Sequence, residues 1–317
     1  MRAISAEAVV SEPRTREWRP DFPLDIRRSL GHLARGKGDP TQRLTDGALW
    51  RTAPTPSGPV TLRLRRTDTV VAEAWGPGAD WMLEHLPPLL CADDRVDDFV
   101  GVLDAAPHPV LSEAWRICGG GLRFPATRLL FDQVSVAVLE QKVTGIEARR
   151  SWRELVWRFG SPAPGPAPAG MAVAPYPADW LAIPDWEWHK AGVDVSRRRA
   201  IRAAATVAAR LDQLVSGSVA DAVRVLCTLP GIGPWTAAEA VQRAMSGADA
   251  VSVGDYHLPN VVGWALVGRR LDDAGMLEVL APYAPHRARA IRLVEVGPAA
   301  RPPRRGPRFS PRDYRSF

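Results

Sequence analysis

Leu229-Pro230-Gly231-Ile232-Gly233-Pro234-Trp235-Thr236-Ala237, a helical run, and then Val251-Ser252-Val253-Gly254-Asp255-Tyr256 form the stretch from which the rest of this chain is read. Upstream, Val219, Ala222, Val223, Leu226 and Leu229 recur at helical spacing and make one apolar face. Pro230 and Gly231 break that helix, and two glycines bracket Ile232. Glycine accepts positive φ and leaves no Cβ between the backbone and an approaching ligand. Pro234 suits the first turn of a new helix, where its missing N–H costs nothing. Ala237, Ala240, Val241 and Ala244 then give that second helix a packing face. The N–H groups of the hairpin and of the helix start favour an anion. A short G-x-G alone is more often an ordinary helical corner; the full string between two amphipathic helices points to a phosphate clamp. Asp255 follows as a single carboxylate, and an Asp ahead of a helix is also a common N-cap.

Over these residues the chain resembles the helix-hairpin-helix DNA glycosylases, and within them the 3-methyladenine DNA glycosylase II (AlkA-like) branch. The likeness is most specific over residues 229–260 and extends more weakly over about 111–296. Phe131-Asp132-Gln133, with Glu140-Gln141-Lys142-Val143-Thr144, is similar to that family's first core helix and the turn after it. Ala191-Gly192-Val193 with Ser196-Arg197-Arg198-Arg199-Ala200 is similar to its G-x-x-x-x-[KR]-A helix start. The resemblance implies that Asp255 is the catalytic aspartate. It implies that Leu229, Gly231, Ile232, Gly233 and Thr236 belong to a hairpin that clamps DNA backbone, with a monovalent cation on its carbonyls. No other metal and no cofactor is expected.

The chemistry agrees with one carboxylate. Breaking an N-glycosidic bond builds positive charge on deoxyribose, which a nearby carboxylate stabilises while orienting water. The damaged base must first leave the duplex, at about a few kcal/mol, least where pairing is already impaired. An alkylated purine is already a cationic leaving group and needs little acid assistance. Relatives that also cut the strand place a lysine where this chain has Trp235, and an indole is no nucleophile. The resemblance therefore implies a monofunctional enzyme that uses water and leaves an abasic site. An aromatic side chain here can stack on a flipped base, worth about 1–3 kcal/mol, or simply pack in the core.

The pocket and wedge residues expected are Trp235, Gln141, Lys142, Val143 and Glu239, and three positions depart from the family. Glu239 stands where an aromatic is usual, four residues after the tryptophan; it fits a base pocket or a solvated helix face. Glu295 aligns near a second pocket aromatic. Lys142, beside Val143, stands where an apolar wedge fills the gap left by the base. These substitutions leave the identity of the lesion open. The favoured reading is excision of an alkylated base in base excision repair. The alternatives are another damaged base removed by the same reaction, and a non-catalytic protein that keeps the hairpin for phosphate contact.

The net charge of +6 over 317 residues, and a pI near 9.7, suit a polyanionic partner, here double-stranded DNA with damaged bases. Thirty-five acidic residues mean that the basicity is patterned: Arg149, Arg150, Arg153, Arg197 to Arg199, and a tail with Arg301, Arg304, Arg305, Arg308, Arg312 and Arg315. Cys91, Cys118 and Cys227 are odd in number and far apart, which fits a reducing compartment and excludes a four-cysteine iron–sulfur cluster. The start lacks an apolar signal core and no run approaches 20 apolar residues. A cytoplasmic, nucleoid-associated monomer without a membrane partner is expected.

Residues 45–76 alternate apolar and polar with short turns: Val60, Leu62 and Leu64 between Arg63 and Arg65, then Val70 to Trp75. From Ala79 the spacing becomes helical. The fold class expected is mostly α: an all-α helix-hairpin-helix glycosylase core preceded by a small antiparallel-sheet α+β domain. That domain spans 1–105, its first 17 residues or so flexible; the helical domain spans 106–300; a basic Pro/Arg-rich tail spans 301–317. Pro162, Pro164, Pro166, Pro168, Pro175 and Pro177 mark residues 161–177 as a loop or linker without chemistry.

Overall fold

Alternation of aliphatic residues with arginine along 58–66 produces the central strand of a sheet in this computed structural model, which describes residues 12–299 and 302–303. The basic tail lies, but for Pro302 and Pro303, outside the described residues. In chain order come β1 (Arg14–Trp18), α1 (Ile26–Gly31), β2 (Gln42–Thr45), β3 (Ala48–Thr55), β4 (Gly58–Arg66) and β5 (Val70–Trp75). They form one antiparallel sheet in the order β1-β5-β4-β3-β2. Arg14 to Glu17, expected in a flexible start, instead join Trp18 in an edge strand paired with Ala74 to Val70. The period of two puts Val60, Leu62, Leu64, Val70, Ala72 and Ala74 on one face. That face packs on α1, α2 (Ala79–Glu84) and α3 (Leu86–Leu89) through Leu30, Met82, Leu83 and Leu86.

The remaining helices are α4 (Asp97–Ala105), α5 (Pro109–Cys118), α6 (Leu130–Leu139) and α7 (Gly145–Phe159), then β6 (Ser161–Pro162) and β7 (Ala172–Val173). They continue as α8 (Pro177–Ala182), α9 (Asp185–Lys190), α10 (Val195–Thr206), α11 (Ala208–Gln213) and α12 (Val219–Leu226). The chain ends its regular structure with α13 (Pro234–Ala244), α14 (Leu258–Val267), α15 (Asp273–Leu280) and α16 (Arg287–Val296). Two helical cores result. One joins α6 through α13 around Leu130, Val134, Trp180, Trp188, Ile201 and Val241. The other joins α4 and α5 to α14, α15 and α16 through Phe99, Leu111, Val262, Met276, Leu280 and Leu293. By packing, α4 therefore belongs with the helical part, and the division falls ahead of residue 97 rather than at 105.

The proline-rich stretch is more than a linker. β6 pairs with β7, and the segment between them lies against the outer face of the sheet. The Ala172 amide donates to Pro40 O at 2.9 Å, Thr52 Oγ1 donates to Ala172 O at 2.6 Å, and Arg43 donates to Ala169 O at 2.6 Å. Gly165, at φ +66, sits so tightly on Trp75 that a Cβ there would lie 2.4 Å from the indole. Trp75 stacks on Trp50 at 5.8 Å, and Arg63, held by Glu73, covers both rings. The loop thus clasps the helical core to the sheet. Removing the buried Trp75 opens a large cavity under it, so Trp75→Ala is expected to cost about 3–5 kcal/mol in urea denaturation.

Asp212 reports on the join between α11 and α6. Its Oδ1 accepts from the Phe131 amide at 3.0 Å, at the start of α6. Burial pushes its carboxyl up to about 6, against the pull of the Phe131 amide. A carboxyl whose folded value lies above the unfolded one is destabilised by ionisation, so its contribution falls as pH rises from about 4 to about 6. Asp212→Asn keeps the acceptor oxygen and is expected to flatten that decline, measured by denaturation at pH 4 and pH 7.

Candidate active site

Ser218 starts α12 by accepting the Asp221 amide on its hydroxyl at 3.0 Å, and the helix ends in a turn where Leu229 N–H reaches Leu226 O. The chain then reverses in three residues. Gly231 adopts φ +77, and a Cβ there would lie 2.8 Å from the Ala200 Cβ on α10, so both the turn and the close approach require glycine. Ile232 is the buried anchor of the hairpin, 4 % exposed, while Pro230 and Gly231 face solvent. Gly233 closes the turn and accepts the Ala237 amide, and Pro234 takes the first position of α13. Among the described residues no internal acceptor is recorded for the N–H groups of Gly231 and Gly233. The first turn of α13 adds further amides without intrahelical partners, so donors and the positive helix end meet on one exposed edge.

The turn between α6 and α7 is tied to this hairpin. Gln141 donates from Nε2 to Gly231 O at 2.9 Å and to Thr236 Oγ1 at 2.7 Å. Its side-chain amide is therefore committed to the hairpin. Lys142 follows at φ +54, a left-handed geometry uncommon outside glycine, and its side chain is exposed. Val143 is half-buried, and Thr144 and Glu147 form a capping box that starts α7. Ile146, 65 % exposed, stands beside Lys142 at the same tip.

Asp255 is tied to the first turn of α13 through Trp235. Its Oδ1 accepts the amides of His257 at 2.7 Å and Leu258 at 2.9 Å, bracing the turn that leads into α14, whose N-cap position is His257. Its Oδ2 accepts the Trp235 indole N–H at 3.0 Å. Three donors fix the carboxylate's orientation at a helix N-terminus. Trp235 is half-buried and stands at the opening of α13, with its ring edge on the carboxylate. Tyr256, 66 % exposed, packs edge-on against His257 just outside.

One turn along α13, Glu239 is neither on a solvated face nor free. Its Oε2 accepts from Arg243 Nη1 at 2.7 Å and its Oε1 from the Ser252 hydroxyl at 2.5 Å. Burial alone would raise its carboxyl, but Arg243, Ser252 and Arg35 outweigh that and hold it below the usual carboxylate range. Glu295 on α16 pairs with Arg292 at 2.7 Å. The cationic run on α10 divides: Arg197 is buried and bonded to Asp194, Gly192 O and Leu139 O, Arg198 pairs with Asp185, and Arg199 is exposed. Arg197 is thus an internal brace, not a phosphate contact.

Sequence reasoning missed Arg243, Ser252 and Arg35. Arg243 had a signal, since it stands four residues after Glu239 on one helix face. Ser252 lies inside the quoted stretch but no pattern marks its role. Arg35 comes from the sheet part, about two hundred residues earlier in the chain, and only the fold brings it near.

Among the described residues there is no group of three metal-ligating side chains, and no helix is long and apolar enough to cross a membrane. The three cysteines are free.

No family model and no curated protein matches the chain. Solved structures do. A 3-methyladenine DNA glycosylase from Archaeoglobus fulgidus superposes with a TM-score of 0.73 at 15% identity, over 88% of this chain and 96% of that one. The fold is one that DNA glycosylases use. The apo form of an 8-oxoguanine glycosylase/lyase from Clostridium acetobutylicum gives 0.68 at 10% identity, over 92% and 99%. The same enzyme with double-stranded DNA containing cytosine opposite 8-oxoguanine gives 0.64 at 10% identity, over 86% and 91%.

Because Gln141 is the side chain that joins the hairpin carbonyl to the α6–α7 turn, Gln141→Ala is expected to loosen both. Loss of two hydrogen bonds at a half-buried site predicts about 1–3 kcal/mol, read as faster amide exchange at Ile232 and Ala237.

Proposed function

We propose that this protein is a monofunctional DNA glycosylase, excising a damaged base from double-stranded DNA by hydrolysis to leave an abasic site. The observation that carries the reading is the Trp235–Asp255 pair at the mouth of the hairpin helix. The hairpin amides take a phosphate next to the damaged nucleotide, and the α13 dipole favours that charge. Lys142 and Ile146, exposed at the α6–α7 tip, reach toward the duplex and fill the gap the base leaves. Asp255 faces the sugar. As the glycosidic bond lengthens, its carboxylate opposes the charge developing on the ring and orients water at the carbon. Covalent catalysis through this position would need a nucleophile, and an indole supplies none. The indole does something else: it donates to Oδ2 and holds the carboxylate in place.

An alkylated purine is the first substrate to offer, since its charge makes it a ready leaving group. The Glu239–Arg243 pair behind Trp235 is the specific observation that favours another damaged base. A protein that only binds DNA has no use for a carboxylate oriented by three donors. Asp255→Asn is expected to reduce base release by at least ~100-fold, as seen for loss of a transition-state charge. Its binding to an abasic-site duplex should persist. Equal base release by both forms would sink the assignment. Borohydride should trap no covalent DNA adduct with the wild type; an adduct would show a lyase instead.

A further inference from the structure

Behind the Trp235–Asp255 pair, α13 presents charge. Glu239 stands one turn beyond Trp235 and Arg243 one turn beyond Glu239, so all three share a helix face. The Ser252 hydroxyl, three residues before Asp255 in the chain, donates to Glu239 and so fixes this pair from a second segment. Other elements complete the wall. Arg35, 5 % exposed, lies just past α1 and approaches Glu140 at 3.6 Å at the end of α6. Arg292 and Glu295 come from α16, and His32 closes α1 with its ring 6.3 Å from Phe124.

Two atoms in this cluster are buried without a hydrogen-bond partner: Arg243 Nε and His32 Nε2. Leaving a buried polar atom unpaired costs about 1–3 kcal/mol. Two such atoms among charged groups are what a site shows when a ligand completes its hydrogen bonds. Burial, with Arg292, Arg243, Arg35 and Arg51 nearby, holds the His32 imidazole well below its ordinary range. At neutral pH it is an uncharged ring with one donor and one acceptor.

A carboxylate beside a guanidinium N–H is complementary to a lactam edge, in which a ring N–H adjoins a carbonyl. The N–H donates to Glu239, whose oxygens keep lone pairs beyond Arg243 and Ser252, and the carbonyl accepts from Arg243 Nε–H. A cationic alkylated adenine offers no such edge. We propose that Glu239 and Arg243, seated by Ser252 and flanked by His32, select a neutral damaged base carrying a lactam edge, as in hypoxanthine, uracil or 8-oxoguanine. This assignment rests on the glycosylase reading and names its substrate class. Undamaged guanine and thymine carry the same edge; the cost of extruding a base from an intact pair protects them.

The test is base release by the wild-type protein from duplexes bearing hypoxanthine opposite thymine, uracil opposite guanine, or 8-oxoguanine. These are compared with 3-methyladenine and with unsubstituted purine, which lacks the carbonyl. Each rate is taken as an enhancement over spontaneous loss. Hypoxanthine is expected to exceed unsubstituted purine by at least ~100-fold, because a site built on hydrogen bonds strongly rejects an analogue lacking them. Glu239→Gln and Arg243→Met, checked for folding by melting and for binding to an abasic-site duplex, should lose that preference. The wild-type substrate comparison stands even if neither variant folds. Greater enhancement for 3-methyladenine, or no difference between hypoxanthine and purine, overturns the selection while leaving hydrolysis intact. Release of no base at all, with abasic DNA still bound, overturns the glycosylase reading and this assignment with it.

Discussion

The amide of Gln141 holds the hairpin and the α6–α7 turn in one register. Without its bonds to Gly231 O and Thr236 Oγ1, the hairpin and the α6–α7 turn would be neighbouring loops free to move apart. With them, the exposed donors of Gly231 and Gly233 stand at a fixed offset from Lys142 and Ile146. Ile232 and the close contact of Gly231 with Ala200 anchor the same turn from below. The proposed reaction requires phosphate to be gripped and a vacated base position to be filled at once, and geometric precision of this order would make the two acts simultaneous.

From that anchor, α13 carries the chemistry inward in single turns. Trp235 orients Asp255, Glu239 takes Ser252, and Arg243 reaches the charged groups from the sheet part and from α16. Burying such charges offers little stability, since desolvation roughly cancels the attraction, and apolar residues of similar volume often do as well. Their presence here is better explained by what they present to a ligand than by what they add to the fold.

Much of this was legible in the sequence, for identifiable physical reasons. The hairpin could be read because only glycine serves at Gly231, and the sheet because Val60, Leu62 and Leu64 alternate with arginine at a period of two. Asp255 could be read as a cap; its Oδ1 does take the first amide of α14, from a place two residues ahead of the N-cap position at His257. What stayed hidden was set by packing between distant segments. Nothing local says that Gln141 turns its amide to the hairpin, that Arg197 is interior, or that Glu239 faces a buried guanidinium. The proline-rich run from 161 to 177 was legible as irregular chain, but its seat on Trp75 depends on the shape of the sheet.

That seat bears on the site itself. Arg35 and His32 belong to the sheet part, while Glu140, Glu239, Arg243 and Arg292 belong to the helices. Their spacing is therefore set by how the two parts are joined. The join is made by the proline clasp on Trp50 and Trp75, and by Asp39, which accepts the Trp152 indole of α7 at 3.2 Å and the Arg35 amide at 2.6 Å. Proline shortens the conformational reach of the clasp in the unfolded chain as well as in the folded one, which lowers the entropy lost on docking. A side chain on a loose domain would offer hydrogen bonds at variable distance, and selectivity by hydrogen bonding falls steeply once donors and acceptors drift from their places. The sheet is thus part of the recognition wall, held there by a segment that contributes no side chain to it.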